Sequence, residues 1–354
     1  MTVPSTPRSA TPVARDPRAT GVRRHRREDR AWRIGGRLAT ILPIVGFAFV
    51  MIVLAVKAWP AFRVSGLGFI THSAWQPGNT YGGTQRVHGV LIPQGATYGA
   101  WPMLLGTLQT SAIALLVALP ISIGTAFALT ERLPKWLSAP LGFFVEILAG
   151  VPSVIIGLWG VLVLGPFLSR DVYPIVANHL PNVPVLRYFR GSVGYGEGLL
   201  TSGLVLGLMI VPVIASTTRD LFLQVPPLPK EGALALGMTD AEVARRVTIP
   251  WVRSGIIGAT VLGLGRALGE TIAVAMVSGS VLGTVAPNVY GTMTTIAATI
   301  VTQLDSAATD GTGFAVATLA EAGLVLAIIS VVVNLLARTI VRRAGRMAAP
   351  VGRA

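Results

Sequence analysis

Residues Glu231–Pro250 read EGALALGMTDAEVARRVTIP, a polar interlude between two long apolar runs. Helix chemistry explains the pattern. Pro226, Pro227 and Pro229 stop the preceding segment, because each proline lacks a backbone donor, and a short helix can start near Lys230. Gly237 suits the end of that helix, since a residue without Cβ enters the left-handed region at little cost. Thr239 and Glu242 have the spacing of a capping box and start a second helix, which Pro250 is expected to close. Two short helices at an angle, on a loop in water, make a docking knob; the plainer alternative is an ordinary solvated loop.

The flanking runs set the class of the chain. Its 354 residues are 52% hydrophobic and 12% charged, with a mean hydropathy of +0.66. That composition excludes a soluble globular protein and indicates repeated membrane crossings. A crossing needs about 20 predominantly apolar residues. Six stretches qualify: 38–57, 103–130, 137–166, 199–218, 254–280 and 316–337. Trp59, Trp101, Trp136 and Trp251 stand at their ends, where an aromatic belt would place them. The expected fold class is an all-α membrane protein with six transmembrane helices.

Charge gives the orientation. Lys and Arg number 29 against 15 Asp and Glu, a net charge of +14. Ten arginines fall within residues 1–37, which puts that end in the cytoplasm. Six alternating crossings then leave 22 basic residues inside and six outside, with one arginine inside a span. This asymmetry accounts for the basic balance through membrane lipid, with no nucleic acid as partner. The chain has no cysteine, so disulfide and thiol chemistry are excluded. His25, His72, His88 and His179 are scattered without metal-ligand spacing, so no metal site is expected. No GxxxxGK[ST] stretch occurs to cradle ATP phosphates, and no histidine lies near a nucleophile in the membrane core.

These readings divide the chain. Residues 1–36 form a disordered basic cytoplasmic tail, and 37–100 the first transmembrane helix with an extracytoplasmic loop. Residues 101–340 form the transmembrane core around the loop 231–250, and 341–354 a second basic tail. The first span does not read as a signal peptide, because its leading region is too long and no small-x-small site follows. The outer loop at 58–102 contains WQPGNTYGGTQ, which suits a short hairpin or a partner contact. Residues 292–304 are uncharged but too short to cross, which suits a re-entrant or surface helix.

The arginine inside a span is Arg266, in GLGRALGETIAVAMVSGS. Counted from Ser254 it lies about 18 Å along its helix, beyond easy reach of water. Glu270 follows four residues later, on the same face of a continuous helix. Glu146 lies in the third span, and Pro152 breaks the helix beyond it, beside Gly150 and Ser153. Such a break offers backbone amides and a hydroxyl to a central cavity. A planar guanidinium gives paired hydrogen bonds to a tetrahedral oxyanion. Glu270 and Glu146 are expected to balance Arg266 when no anion is present. A carboxylate could also accept the proton that phosphate keeps and sulfate lacks. The structural alternative is an ion pair that locks helices together. Glu321, near the outer end of the last span, is expected to reach water and serve structure.

Two resemblances follow. Glu231–Pro250 resembles the EAA loop of ABC importer permeases: Glu231, Ala233, Gly237 and Pro250 match its spacing, while Gly232, Val247 and Ile249 depart from it. The segments RALGETIAVAMVSG, EILAGVPSVIIGLWG and YGAWPMLLGTLQTSAIALLVALPISIGTAFAL are similar to the PstC-type permeases of phosphate importers, over residues 38–340. The resemblance implies a MetI-like ABC importer permease fold. It also implies a phosphate pathway at Arg266, Glu270, Glu146, Ser153 and Thr271, and ATPase coupling at Glu231, Gly232, Ala233, Gly237, Thr239, Glu242 and Pro250. The implied partners are a sister permease (PstA type), two ATPase subunits (PstB type) and an extracytoplasmic phosphate-binding protein (PstS type). This chain would bind no cofactor, ATP and Mg being used by the partner ATPase, and would itself catalyse no reaction. The implied location is the plasma (inner) membrane of a bacterium, with both termini cytoplasmic. The alternatives are a permease for sulfate, molybdate or phosphonate, which would share the loop, and a proton-coupled secondary transporter, which would not need it.

Overall fold

The computed structural model describes residues 17–346 apart from 182, 184 and 185. It divides into two units, Met1–Val53 and Leu54–Ala354. The first unit carries most of one long helix, α1 (Pro17–Ser65). Its Ala, Arg and Glu residues favour helix, and Pro17 has the φ that a first helical position needs. The expectation of a disordered tail over 1–36 is therefore corrected from Pro17 onwards, while residues 1–16 lie outside the described residues. From Ile34 the helix is apolar enough to cross a membrane, and Leu42 and Phe49 on it are exposed.

In the second unit a short helix α2 (Gly68–Thr71) leads into four strands, β1 (Trp75–Gln76), β2 (Asn79–Val87), β3 (Val90–Gln94) and β4 (Thr97–Tyr98). A hairpin is present, but it turns at His88 and Gly89, beyond WQPGNTYGGTQ, which supplies β1 and part of one arm. Strands β2 and β3 pair antiparallel up to Val87 and Val90, and β1 pairs with β4 outside them. His88 and Gly89 join the inner strands with φ of 48° and 79°, the sign a two-residue hairpin turn demands. Trp75 meets Tyr98 edge to face at 4.9 Å, and Tyr98 packs on Phe314.

Helix α3 (Trp101–Phe127) runs on through a wide π turn, Ala128–Arg132, and is followed by α4 (Lys135–Ala149). As expected, the chain breaks at Pro152. The break separates α4 from the crossing altogether: fifteen residues reach only about 22 Å at ~1.5 Å each. The third span is instead Ser153–His179, built from α5 (Ser153–Trp159), α6 (Gly165–Phe167) and α7 (Tyr173–His179). Helix α8 (Leu199–Leu223) is the fourth, and α9 (Pro227–Ala235) and α10 (Asp240–Val243) lead to α11 (Ile249–Leu268). Helices α12 (Ile272–Val277), α13 (Ile296–Ala308) and α14 (Phe314–Arg346) complete the chain. Six helical runs are long and apolar enough to cross a membrane, as expected.

Pro250 does not close a helix, contrary to expectation. Ala244–Thr248 forms a π turn in which the Ile249 amide donates to the Ala244 carbonyl, and α11 follows directly. A proline ring strikes the carbonyl four residues earlier in a regular helix; a widened turn carries that carbonyl aside. The same arrangement precedes Pro166 and Pro174, each two residues after a π turn, whereas at Pro134 the residues Leu133 and Pro134 are extended and the helix stops. Pro250, expected as a stop, thus sits within a continuous helical run. Conversely the fifth span does not reach residue 280. It covers Asp240–Leu268, and Gly269, Glu270 and Thr271 break the chain before α12. Residues 292–304 do not cross either: α13 has thirteen residues, the first four of them buried, and packs on α3 and α14.

Helices α3 and α8 form the most extensive helix pair. Their contact is lined by small residues, Ala114 and Ala118 on α3 and Gly203 and Gly207 on α8, which let the backbones approach. Thr107 ties α3 to α13, its hydroxyl accepting from the Ile296 amide at 3.1 Å. At the neighbouring position, a Cβ on Gly106 would lie 2.1 Å from the Thr294 carbonyl oxygen. Glu321 is a further correction: it is 4% exposed and its Oε2 has no hydrogen-bond partner among the described residues, because its face of α14 is packed rather than wet.

Gly106→Ala must push α3 away from the Thr294 segment. We expect a loss of about 1–3 kcal/mol, typical of overpacking, seen as a lower thermal midpoint of the detergent-purified protein; Ser138→Ala, on the exposed start of α4, should leave the midpoint unchanged.

Candidate functional site

The knob is built by capping. Helix α9 opens on Pro227, so the prolines of this segment start a helix as well as end one, and it begins three residues before the expected Lys230. It ends in a paired hydrogen-bond lock: the Gly237 amide donates to the Leu234 carbonyl at 2.9 Å, and the Met238 amide to Ala233 at 3.2 Å. Gly237 makes the reversal with φ of +83°. The capping box is present as expected. The Glu242 amide donates to Thr239 Oγ1 at 3.4 Å, and the Thr239 amide to Glu242 Oε2 at 2.9 Å.

Only Ala233 on α9 is buried; Leu228 is 77% and Leu236 82% exposed, with Leu234 exposed between them. An apolar tip held rigid by caps suits a groove on another protein. Lys230 pairs with Glu131 and so ties α9 to the turn after α3. Glu231 lies beside them, lining a cleft of about 210 Å³ with Lys230 and Asp240. Gly232 is exposed, with open space where a Cβ would stand.

From Asp240 the run is helical to Leu268, so the second half of the knob, beyond the Gly237 reversal, and Arg266 share one rod. Twenty-six residues separate Asp240 from Arg266, about 39 Å at ~1.5 Å per residue. Arg266 occupies the last turn of α11, where unpaired carbonyls favour a cation. Its side chain is exposed and lines an open cavity of about 690 Å³ with Gly265, Leu262, Asn334 and Arg338.

The carboxylates stand elsewhere than expected. Glu270 lies beyond the end of α11, so the four-residue spacing no longer implies a shared face. Its Oε1 accepts instead from the Ala273 amide at 3.4 Å, at the start of α12. Glu146 pairs with Arg219 of α8 at 2.9 Å, passing Gly142. Neither forms an ion pair with Arg266 among the described residues. Ser153 opens α5 and Thr271 opens α12. Their helices meet where Gly157 faces Ala273, so the two chain breaks belong to one region. Neither residue lines the Arg266 cavity.

Asn334, Arg338 and Arg219 were not singled out from sequence. The first two stand four residues apart in VVVNLLARTI, a polar pair on one face of an apolar helix. Arg338 had been counted with the cytoplasmic charges, which hid that signal. For Arg219, nothing in the sequence pairs it with a glutamate 73 residues earlier.

The family model described as "Binding-protein-dependent transport system inner membrane component" matches residues 118–346. The "Phosphate transport system permease protein PstC 1" of Mycobacterium tuberculosis is 58% identical over 318 residues, covering 90% of this chain and 94% of that protein. The PstC proteins of Mesorhizobium japonicum and Haemophilus influenzae are 39% and 38% identical, covering 94% and 86% of this chain and 96% and 90% of their own lengths. Among solved structures, an inward-facing MetNI methionine ABC transporter aligns at 19% identity and a TM-score of 0.47, over 70% of this chain and 94% of its own.

Thr239→Ala removes half of the capping box and should cost the knob about 1 kcal/mol. Faster amide exchange confined to residues 239–248 would show it, with the exchange of α8 unchanged.

Proposed function

We propose that this chain, which belongs to the binding-protein-dependent inner-membrane transport components and within them to the PstC phosphate-transport permeases, passes inorganic phosphate across the plasma membrane by alternating access. It is a multi-pass membrane component of an ABC importer. On this reading it hydrolyses nothing itself: two ATPase subunits (PstB type) use ATP and Mg, and the knob at 227–250 rests in a groove on one of them. A sister permease (PstA type) completes the pathway, and an extracytoplasmic protein (PstS type) delivers phosphate. The excess of 22 basic residues over six supports cytoplasmic termini. Residues 101–340 then act as the translocating core, preceded by a first helix and outer loop over 37–100.

The observation that carries this reading is the rod from Asp240 to Leu268, with docking chemistry at one end and Arg266, without an ion-pair partner among the described residues, facing an open cavity near the other. ATP binding closes the ATPases and moves the knob, and a rod carries that displacement to the arginine without bending. The guanidinium stays charged at any physiological pH and offers paired donors to a tetrahedral oxyanion. Glu270 and Thr271, two and three residues past the end of α11, are hydrogen-bonding groups at the break, where phosphate bearing a proton finds both acceptor and donor. Ser153, across the α5–α12 contact, belongs to the same region. Glu146, held by Arg219, acts on the pathway through the position of α8 and α4 rather than by neutralising Arg266. Binding at Arg266 must be weak, because tight capture would slow release.

Arg266→Gln should abolish phosphate uptake while the chain still reaches the membrane, and Arg266→Lys should also impair it, since paired geometry is lost. Substantial uptake by the glutamine variant would return the arginine to a structural role. Gly237→Pro cannot adopt a φ of +83° and loses the amide that donates to Leu234. ATP hydrolysis by the assembled complex should then persist while uptake falls, and normal uptake would remove the knob from coupling.

A further inference from the structure

The cavity at Arg266 holds a second guanidinium. Arg338 and Asn334 project from one face of α14 onto the same space, which α11 floors with Gly258 and Gly265. Asn334 stands nearest Gly265, its amide atoms 3.9 Å from where a Cβ would be. It is therefore level with Arg266. Consecutive crossings run antiparallel, so Arg338, one turn further along α14, lies one turn closer to the knob end of α11, about 6 Å along the axis.

No carboxylate lines this cavity, and Arg338, like Arg266, forms no ion pair or hydrogen bond among the described residues. The rest of its lining is aliphatic side chains and glycine. Two like charges sharing one open cavity repel each other, and no carboxylate among its lining residues offsets that repulsion. An anion between or beside them removes that repulsion. Gly258 has open space where a Cβ would stand, so the cavity stays unobstructed along α11 towards the knob.

We propose that Asn334 and Arg338 form a second anion station, one helical turn on the cytoplasmic side of Arg266, to which phosphate passes on its way out. The proposal rests on the phosphate reading above. Arg266 takes the oxyanion first; Arg338 then competes for it from the exit side, while the Asn334 amide donates to a phosphate oxygen between them. Two weak stations release faster than one strong one, because each loosens the hold of the other. The recognised chemistry, a phosphate-type oxyanion, is also that of a lipid headgroup; the open cavity is assigned to free phosphate.

The test uses the complete transporter in proteoliposomes with its sister permease, ATPase and binding protein. Arg338→Gln should lower maximal ATP-driven phosphate uptake about tenfold or more, with the half-saturating concentration, set by the binding protein, within about twofold of the parent. Arg338→Lys, which keeps the charge, should recover part of the loss. If Arg338→Gln transports like the parent while Arg266→Gln is inactive, the second station is overturned and the role of Arg266 stands. If both variants transport normally, both readings fall.

A second measurement does not depend on the arginine variants folding. The chain has no cysteine, so Asn334→Cys is a unique reporter beside both guanidiniums. A sulfonate-bearing methanethiosulfonate should modify it, by intact mass of this chain, about tenfold faster than a trimethylammonium one. Millimolar inorganic phosphate should slow the reaction in liposomes of phosphatidylcholine alone. Equal rates for the two reagents, or no protection by phosphate, overturn the proposal. Protection that appears only when phosphatidylglycerol is added assigns the cavity to a lipid headgroup and overturns it too.

Discussion

Inside hydrocarbon a backbone amide or carbonyl has no water to turn to, so each must find a partner within the protein. This constraint shapes every unusual feature of the chain. Pro166, Pro174 and Pro250 follow a widened turn that lets the amide just before them donate five residues back, as Ile249 does to Ala244, whereas Pro120, Pro140 and Pro212 lie within regular helices. The true breaks, at 150–152 and 269–271, come where α5 and α12 start against each other rather than against lipid. At the buried start of α13 the amides are taken up by hydroxyls, Thr107 accepting from Ile296 and Thr295 from Ala298.

That accounting decides what moves as a unit. A helix closed at Pro250 would have left the knob on a hinge. The π turn over Ala244–Thr248 makes the segment from Asp240 to Leu268 one continuous helical run. The break at Gly269 then frees Glu270 from the helix that holds Arg266. Its carboxylate turns to the Ala273 amide, and the guanidinium is left facing open space.

The remaining charges show the opposite solution. Glu146 and Arg219 satisfy each other across α4 and α8, and Lys230 and Glu131 across α9 and the turn after α3. Each ties a peripheral helix to the α3–α8 pair, whose small residues allow close backbone contact. Arg266 and Arg338 differ from these in forming no ion pair among the described residues, and both open on one cavity.

Features set by neighbours along the chain were legible in the sequence. Hydropathy alone marked six crossings. The spacing of Thr239 and Glu242 marked a capping box, Gly237 a left-handed turn and Pro152 a break, because each depends on residues within a turn or two. What only the tertiary structure decided involves partners distant in sequence or a turn whose width is set by packing. It decided whether a proline stops a helix, as Pro134 does, or is absorbed by it, as Pro166, Pro174 and Pro250 are. It gave Glu146 to Arg219, 73 residues away, buried the Glu321 carboxyl that was expected to reach water, and set Asn334 and Arg338 beside Arg266. Local hydrogen bonding is written in short spacings; the company a charge keeps depends on which helices pack together, and no single segment encodes that.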